Sequence, residues 1–600
     1  VCGIAGIVDL RARRPIDTKL LERMNRSLEH RGPDGEGFHI EPGVGFGHRR
    51  LSIIDLEGGK QPMYNEDGTV VVTYNGEIYN FKEIEVDLRA RGHVFRTRCD
   101  SEVIVHAWEE WGERCLDRFN GMFAFALWDR NRETLFLARD RIGVKPLYYT
   151  ALADGRLMFA SELKALMLSP DVSRRVDPTA VEDYFAFGYV PDPKSIFVGV
   201  HKLEPGYCIA FRRGSAAGAP QRYWDVPLFG DVDRVTDDSP AVVASALKDA
   251  VARRLVADVP LGAFLSGGID SSAVVAMMDG IGVEHLLTCF IGFNETEYDE
   301  SRYARLVAQQ KGTDHRVEVV EASDYGLLDR LASLFDEPFF DSSAIPTYRV
   351  CQLARRHVTV ALSGDGGDEN FLGYRRYKLF RGQERVRTLL SLGLRRPAAA
   401  LERYFGQVTI SSRADRAGLF SKAFANDLQG YDAAQVFVGH LQGREFADPL
   451  RMIQYLDFKT YLPGDILTKV DRASMAHGLE VRVPFLDYRF VERIAALPSE
   501  FKLKGDESKY GLKKALEPYL PHEVIYRRKM GFSVPLKAWL RGSLAQYLAD
   551  VINGERLRDC GLFEPKRLAT LVDEQRTRKP NHSALLWSLL MFDGFLRNQS

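Results

Sequence analysis

The chain has 600 residues, 45% of them hydrophobic, enough for two to four domains with sizeable cores. Lys plus Arg number 81 against 82 Asp plus Glu, a formal net charge of −1, so no global field draws the chain to nucleic acid or to an anionic membrane. The seven cysteines include no CxxC pair; they fit neither a disulfide framework nor a cysteine zinc site, and they point to a reducing cytoplasm.

The chain opens with Val1 followed by Cys2-Gly3-Ile4-Ala5-Gly6. A terminal Cys can use its own α-amine as base, with reference pKa values of roughly 7.7–8.0 for the amine and about 8.5 for the thiol. That chemistry needs residue 1 removed, and Val1 is read as a non-AUG start codon whose residue is trimmed. The first apolar run ends at Val8, before Asp9, Arg11 and Arg13, and has no basic leader, unlike a secretory signal. No apolar stretch is long enough to span a membrane.

To about residue 210 the pattern is β-rich, with short runs at Val70 to Tyr74, Phe123 to Trp128 and Thr134 to Ala138. Turn signals Glu66-Asp67-Gly68 and Asp129-Arg130-Asn131 punctuate them, and two packed sheets are the architecture expected. The small-residue stretch Arg212 to Pro220 is either a strand connection or a linker, and a domain boundary is placed in or soon after it. Beyond Ser239, helical periods alternate with short apolar strands such as Leu286 to Ile291 and Val358 to Leu362, the pattern of a parallel α/β sheet. From about residue 375 the chain reads as mostly helical. The basic run Arg375 to Arg396 is read as a solvated helical face.

Two loops in the second half carry chemistry. Ser266-Gly267-Gly268-Ile269-Asp270-Ser271-Ser272 lies between the apolar run Leu261 to Leu265 and the helical Ala273 to Met278. Strand, glycine-rich loop and helix N-terminus together cradle a phosphate, while Asp270 can hold Mg²⁺ on it. The loop is not of the GxxxxGK[ST] type. Ser363-Gly364-Asp365-Gly366-Gly367-Asp368-Glu369 again follows a strand, so the two acidic loops predict a nucleotide and metal site in the carboxyl-end crevice of one sheet.

With these motifs in view, the chain resembles the glutamine-hydrolysing asparagine synthetases across nearly its whole length. In the first half the resemblance rests on Cys2-Gly3-Ile4, His30-Arg31-Gly32-Pro33-Asp34, Gly47-His48-Arg49-Arg50-Leu51-Ser52-Ile53, Asn75-Gly76-Glu77-Ile78-Tyr79-Asn80 and Asp100-Ser101-Glu102. In the second it rests on the SGGIDSS and SGDGGDE loops and on Lys469-Val470-Asp471-Arg472-Ala473-Ser474-Met475 through Glu480-Val481-Arg482-Val483-Pro484-Phe485. The resemblance implies an α+β N-terminal-nucleophile glutaminase domain, with two packed antiparallel sheets and flanking helices, over residues 1–218. An α/β ATP-pyrophosphatase domain with a parallel sheet and a helical C-terminal part would follow over residues 235–600.

It also implies site roles. A glutaminase must hold a zwitterion, so Arg50 is expected on the α-carboxylate, Glu77 and Asp100 on the α-ammonium, and Leu51, Ser52 and Ile53 beside them. Cys2 would form a thioester, with the Asn75 amide and the Gly76 N–H as oxyanion hole. In the second domain ATP is expected against Leu265, Ser266, Gly267, Gly268, Asp270, Ser271, Ile291, Ser363 and Gly364, with Mg²⁺ near Asp270 and Asp368. Asp365 is expected to bear on the acyl-adenylate step, and Lys509 on the charge of the α-phosphate.

The expected substrates are glutamine, ATP and aspartate, with a cytoplasmic homodimer and no nucleic-acid or membrane partner. Where many members read Asp-Glu-Leu-Phe-Gly-Gly-Tyr, this chain has Asp368-Glu369-Asn370-Phe371-Leu372-Gly373-Tyr374. Similar variants resemble amidotransferases of bacterial exopolysaccharide clusters, so a sugar carboxylate is the alternative acceptor. A catalytically silent relative is the alternative of another class.

Overall fold

Val70–Ile78, pairing along its whole length with Gly121–Asp129, sets up one layer of the N-terminal half: the register runs from Val70 opposite Asp129 to Ile78 opposite Gly121. In this computed structural model, which describes residues 2–215, 218–230, 239–293, 300–320, 326–390, 397–530, 534, 536–577 and 582–599, that layer is an antiparallel sheet of six strands. Its order is Gln221–Arg222, Tyr207–Arg212, Thr134–Arg139, Gly121–Asp129, Val70–Ile78 and Met63–Tyr64. A second six-stranded antiparallel sheet runs Val200–Lys202, Tyr148–Ala151, Arg156–Ala160, Gly3–Asp9, Val44–Arg50 and Gly35–Glu41. Val1 lies outside the described residues.

Alternation along the strands decides what meets what. Ile4 and Val8 enter the core between the sheets with Phe46, Val71, Trp128 and Phe159. Ala5 and Ile7 face the other way, against Leu20, Leu21 and Met24 of the helix Thr18–Ser27. Asp17 starts that helix by accepting a hydrogen bond from Leu20 N at 3.0 Å. On the first sheet, Val72, Tyr74 and Ile78 pack outward on Ile84, Leu88 and Ile104 of the helices Phe81–Ala90 and Glu102–Trp111. Helix, sheet, sheet, helix is the resulting layer order, the packed pair of sheets that the short strands predicted.

The Arg212 to Pro220 stretch is a strand connection. Tyr207 and Cys208 pair with Arg222 and Gln221, so the first domain's sheet runs past residue 218; residues 216–217 lie outside the described residues.

The second half is built on five parallel strands in the order Asp314–Val320, Leu287–Phe293, Leu261–Phe264, Val360–Leu362 and Glu480–Arg482. The chain leaves the central strand Leu261–Phe264 to one side and later returns to its other side. This makes the gap between Leu261–Phe264 and Val360–Leu362 the topological switch point, where ligands of open parallel sheets bind. Beyond residue 375 the described chain is mostly helical, with two corrections. Glu480–Arg482 is the fifth strand of the sheet, and the basic run is not a solvated face at its start. Arg376 lies between the rings of Tyr374 and Tyr461, 4.1 and 4.3 Å from their centroids, and pairs with buried Asp457 at 2.9 Å. Residues 391–396 of that run lie outside the described residues. Among the described residues, no helix is long and apolar enough to cross a membrane.

Candidate active sites

Side-chain parity on Val70–Ile78 aims Val71, Thr73, Asn75 and Glu77 at the other sheet, where Cys2 leads into Gly3–Asp9. Asn75 Oδ1 accepts the Cys2 N–H at 2.8 Å. Its Nδ2 is buried and has no hydrogen-bond partner, an unusual state for an amide donor and one that a developing oxyanion would satisfy. Gly76 has no room for a side chain: a Cβ there would sit 2.2 Å from Met122 O. Cys2 is buried, and its carbonyl accepts from Arg31 Nε at 3.2 Å.

The other residues expected to hold glutamine make the following contacts. Asp100 is buried, and its Oδ2 accepts from Tyr74 Oη at 2.8 Å and Ile78 N at 2.9 Å. Burial still raises its pKa above the ordinary carboxylate value. Glu77 is also buried and pushed up, by desolvation and by the neighbouring charges of Glu480 and Asp100, with Arg482 3.6 Å away opposing them. Arg50 turns its Nη atoms to the carbonyls of Asp55 at 2.6 Å and Leu56 at 2.8 Å, holding the loop after Leu51, Ser52 and Ile53. Leu51 and Ile53 are buried, and Ser52 N donates to Asp34 Oδ2 at 2.8 Å.

The switch-point crevice brings both acidic loops together. A Cβ on Gly364 would lie 2.6 Å from Ser271 N, and one on Gly367 would lie 2.4 Å from Asp270 Oδ1, so the second loop approaches the first only because both positions are glycine. Ser266 Oγ and Ser271 Oγ are 3.1 Å apart, and Gly268 N donates to Ser266 Oγ at 3.2 Å, ahead of the helix Ile269–Ile281. A cavity of about 670 Å³ opens above, lined by Leu265, Ser266, Gly268, Asp270, Ser271, Ile291, Ser363 and Gly364. Gly267 does not line it. Its φ of 72° fits the backbone against Tyr303 and Ala304 instead.

Lys509 is the convergence point of the cavity's charges. It is buried, unlike an ordinary helical lysine, and adopts φ 56°, a strained backbone for a non-glycine residue. Its Nζ binds Asp270 Oδ2 and lies 2.9 Å from Asp368 Oδ1, which Lys529 also meets. Burial opposes the charge on Lys509, but the two carboxylates raise its pKa above the ordinary lysine value. Burial likewise opposes ionisation of Asp368, and the two ammonium groups outweigh it. For Asp270 burial wins and the pKa is raised. Asp270 Oδ1 is buried without a hydrogen-bond partner, so these paired carboxylates present hard oxygen donors that fit Mg²⁺.

Further along the cavity, Ser363 Oγ donates to Asp365 Oδ2 at 2.6 Å, and burial raises the Asp365 pKa. Sequence reasoning missed the pair beside it: buried Lys469, 2.5 Å from Asp341 Oδ2. It also missed Tyr461 and Ile466, placed on this wall by a π-helical segment, Asp457–Leu467. Pro463-Gly464 inside a helical pattern was the available signal, since π turns gather at functional sites. The departures from the family pattern point away from the cavity. Asn370 Nδ2 is used on the carbonyls of Gly366 and Phe485, both at 2.9 Å, and Leu372 is fully buried with φ 53°.

The two sites meet through motif residues. Arg31 binds Glu162 at 2.7 Å and Asp471 at 2.8 and 3.0 Å, while Arg472 reaches back to Glu162 at 2.8 Å. Arg482, beside Glu77, accepts the Ser363 N–H on its carbonyl at 2.9 Å.

Comparison with known proteins agrees with this division. Residues 1–224 match the glutamine amidotransferase domain model and residues 242–597 the asparagine synthase model. The chain is 34% identical to asparagine synthetase [glutamine-hydrolyzing] 1 of Bacillus subtilis, over 99% of this chain and 96% of that protein. It is 35% identical to a putative asparagine synthetase of Mycobacterium bovis, over 95% and 92%. It is 29% identical to the amidase chyE of Penicillium rubens, over 93% and 92%. Two antiparallel sheets of the N-terminal-nucleophile glutaminase type, the parallel sheet with its loops and these matches agree: the chain belongs to the asparagine synthase family, as a glutamine-dependent amidotransferase and ligase.

Proposed function

We propose that the protein makes asparagine from aspartate, glutamine and ATP, releasing glutamate, AMP and diphosphate. The observation that carries the glutaminase half is the Asn75 amide, whose Oδ1 holds the Cys2 nitrogen while its Nδ2 stays buried and unpaired. With residue 1 removed, that nitrogen becomes an α-amine able to take the thiol proton. The Cys2 sulfur then attacks the glutamine side-chain carbonyl, and Asn75 Nδ2 and the Gly76 N–H stabilise the oxyanion. Collapse expels ammonia and leaves a thioester, which water cleaves to glutamate. Arg50, Leu51, Ser52 and Ile53 would fix one end of the zwitterion, and Glu77 and Asp100 the other.

In the second domain ATP would lie along Leu265, Ser266, Gly268, Ser271, Ile291, Ser363 and Gly364, which line the cavity, with Gly267 serving only to turn the loop. The acceptor carboxylate oxygen attacks the α-phosphorus and diphosphate leaves. Ammonia then attacks the acyl carbon and AMP leaves. Lys509 offsets the charge that builds on the α-phosphate, and Asp365 is set to take a proton from the attacking ammonia. Asp270 and Asp368 would hold Mg²⁺, which supplies charge neutralisation for the diphosphate.

Aspartate is favoured because Lys469 and Asp341 offer a cation and an anion side by side, the complement of an amino acid's carboxylate and ammonium groups. Asn370 and Leu372, which motivated a sugar acid, do not line the cavity. The seven cysteines, all unpaired, support a cytoplasmic setting. The test is product analysis with glutamine, ATP-Mg²⁺ and a panel of acceptors. AMP and diphosphate should form in step with asparagine; ADP would defeat adenylation, and AMP release that needs a uronic acid would defeat the asparagine assignment alone.

A further inference from the structure

The helix Glu102–Trp111 carries His106 and Glu109 one turn apart, on the side that faces the Glu66 turn and the segment holding His93. His106 is 1% exposed, and neither ring nitrogen makes a hydrogen bond; Glu109 Oε2 is buried in the same condition. These atoms point at one another. His106 Nδ1 is 3.1 Å from Glu66 Oε2 and 3.5 Å from Glu109 Oε2, and His93 Nδ1 is 3.1 Å from Glu66 Oε1 and 3.9 Å from Glu109 Oε2.

We propose that Glu66, His93, His106 and Glu109 form a structural site for a zinc-type divalent cation in the glutaminase domain. Zinc bound at about 2.0–2.1 Å to four ligands at tetrahedral corners separates them by roughly 3.4 Å, and here one donor atom from each side chain lies within 4.8 Å of the other three, so small side-chain shifts close the shell. Two imidazoles and two carboxylates are its ordinary donors. The outer contacts also fit. His106 Nε2 lies 3.6 Å from Glu102 Oε1 and His93 Nε2 lies 3.9 Å from Glu110 Oε2, so each ring that offers Nδ1 inward has a carboxylate behind its other nitrogen. Those carboxylates and the ligands are already anchored: Glu102 accepts from Arg96 N at 2.8 Å and Thr97 N at 2.7 Å, and Glu109 Oε1 from Asn65 Nδ2 at 2.8 Å.

Four protein ligands leave no open position, which makes the site structural and not catalytic. It would pin three segments: the turn at Glu66, the segment holding His93, and the helix that follows Asp100, a residue of the proposed glutamine site. The proposal does not depend on which acceptor the second domain uses.

The test uses the full chain, freed of metal by a chelator and titrated with Zn²⁺ against a chromophoric competitor. Wild type should take one equivalent through nitrogen and oxygen, with X-ray absorption showing no sulfur scatterer and the melting temperature rising on binding. His93→Gln and Glu66→Gln, at partly exposed positions that tolerate substitution better than His106, should each weaken binding at least 100-fold and lose the thermal shift. Three results would overturn the site: no stoichiometric zinc in wild type, a sulfur ligand, or affinity unchanged in both variants. The cluster would then be an internal ion network of histidines and glutamates.

Discussion

Arg31 and Asp471, from opposite halves of the chain, form a two-pronged buried ion pair, Nη1 to Oδ2 at 2.8 Å and Nη2 to Oδ1 at 3.0 Å. Each belongs to a motif of its own domain, and Glu162 and Arg472 extend the pair into a larger network, with Lys145 3.6 Å from Asp471 and Asp336 3.3 Å from Arg472. Breaking one arm strands buried charge, which costs about 3–5 kcal/mol, whereas replacing both partners by apolar groups is often neutral. Asp471→Asn should therefore lower the melting temperature more than the double variant Arg31→Met with Asp471→Leu. A double variant that melts lowest, by the sum of the single effects, would show that the two residues act independently.

The two chemistries should separate by mutation. Cys2→Ala should abolish glutamine-dependent synthesis and leave synthesis from added ammonium. Asn75→Ala should lower the glutaminase rate about 10²–10³-fold, the usual loss for one oxyanion donor. Intact-mass analysis should find the active protein beginning at Cys2; full glutaminase activity with residue 1 retained would refute the self-base mechanism.

Lys509→Met should suppress AMP formation by about 10²–10³-fold while glutamine hydrolysis persists, because its charge is held between Asp270 and Asp368 in the other domain. Pyrophosphate release and glutamate release, assayed separately on one preparation, decide this. A parallel fall in both would place Lys509 in folding and not in adenylation.

Leu372→Gly sets two effects against each other. The left-handed backbone at φ 53° costs a non-glycine residue about 1–2 kcal/mol, whereas emptying a fully buried leucine costs about 2–5 kcal/mol. Packing wins, so the variant should be less stable by about 1–3 kcal/mol in denaturant unfolding. Its acceptor preference should not change, since Leu372 does not line the cavity.

His48 gives a pH dependence with a definite sign. It is buried, its Nε2–H donates to Tyr74 O at 3.2 Å, and burial lowers its pKa to about 3. The unfolded chain takes up this proton below about 6.5 and the folded chain does not, so stability is present above that value and is lost as pH falls toward 3. From pH 7 to pH 5 the loss is about 2 kcal/mol. Melting curves of His48→Gln should show a shallower acid slope than wild type over that interval; equal slopes would remove His48 as the cause.

Local patterns were enough to set the strands and the chemistry of the loops. Val70 to Tyr74 and Thr134 to Ala138 are short apolar runs between turn residues, and such runs pair wherever they lie. SGGIDSS and SGDGGDE each follow a strand, and their glycines declare a close backbone approach before the partner is known. Contacts between distant segments were decided only by the tertiary structure. The Glu480–Arg482 strand is too short to be recognised without the neighbour it pairs with, Val360–Leu362. Arg376 looked like part of a solvated run until Asp457 and two tyrosine rings were folded around it. Asn370 looked like an acceptor determinant until its amide met two backbone carbonyls. His93, His106 and Glu66 are ordinary residues one by one, and only packing of the turn, the loop and the helix sets a Glu66 oxygen 3.1 Å from Nδ1 of each histidine. Spacing along a chain fixes which residues share a face. Burial and the pairing of charges across segments far apart in sequence depend on the whole fold, because each partner is supplied by a different element.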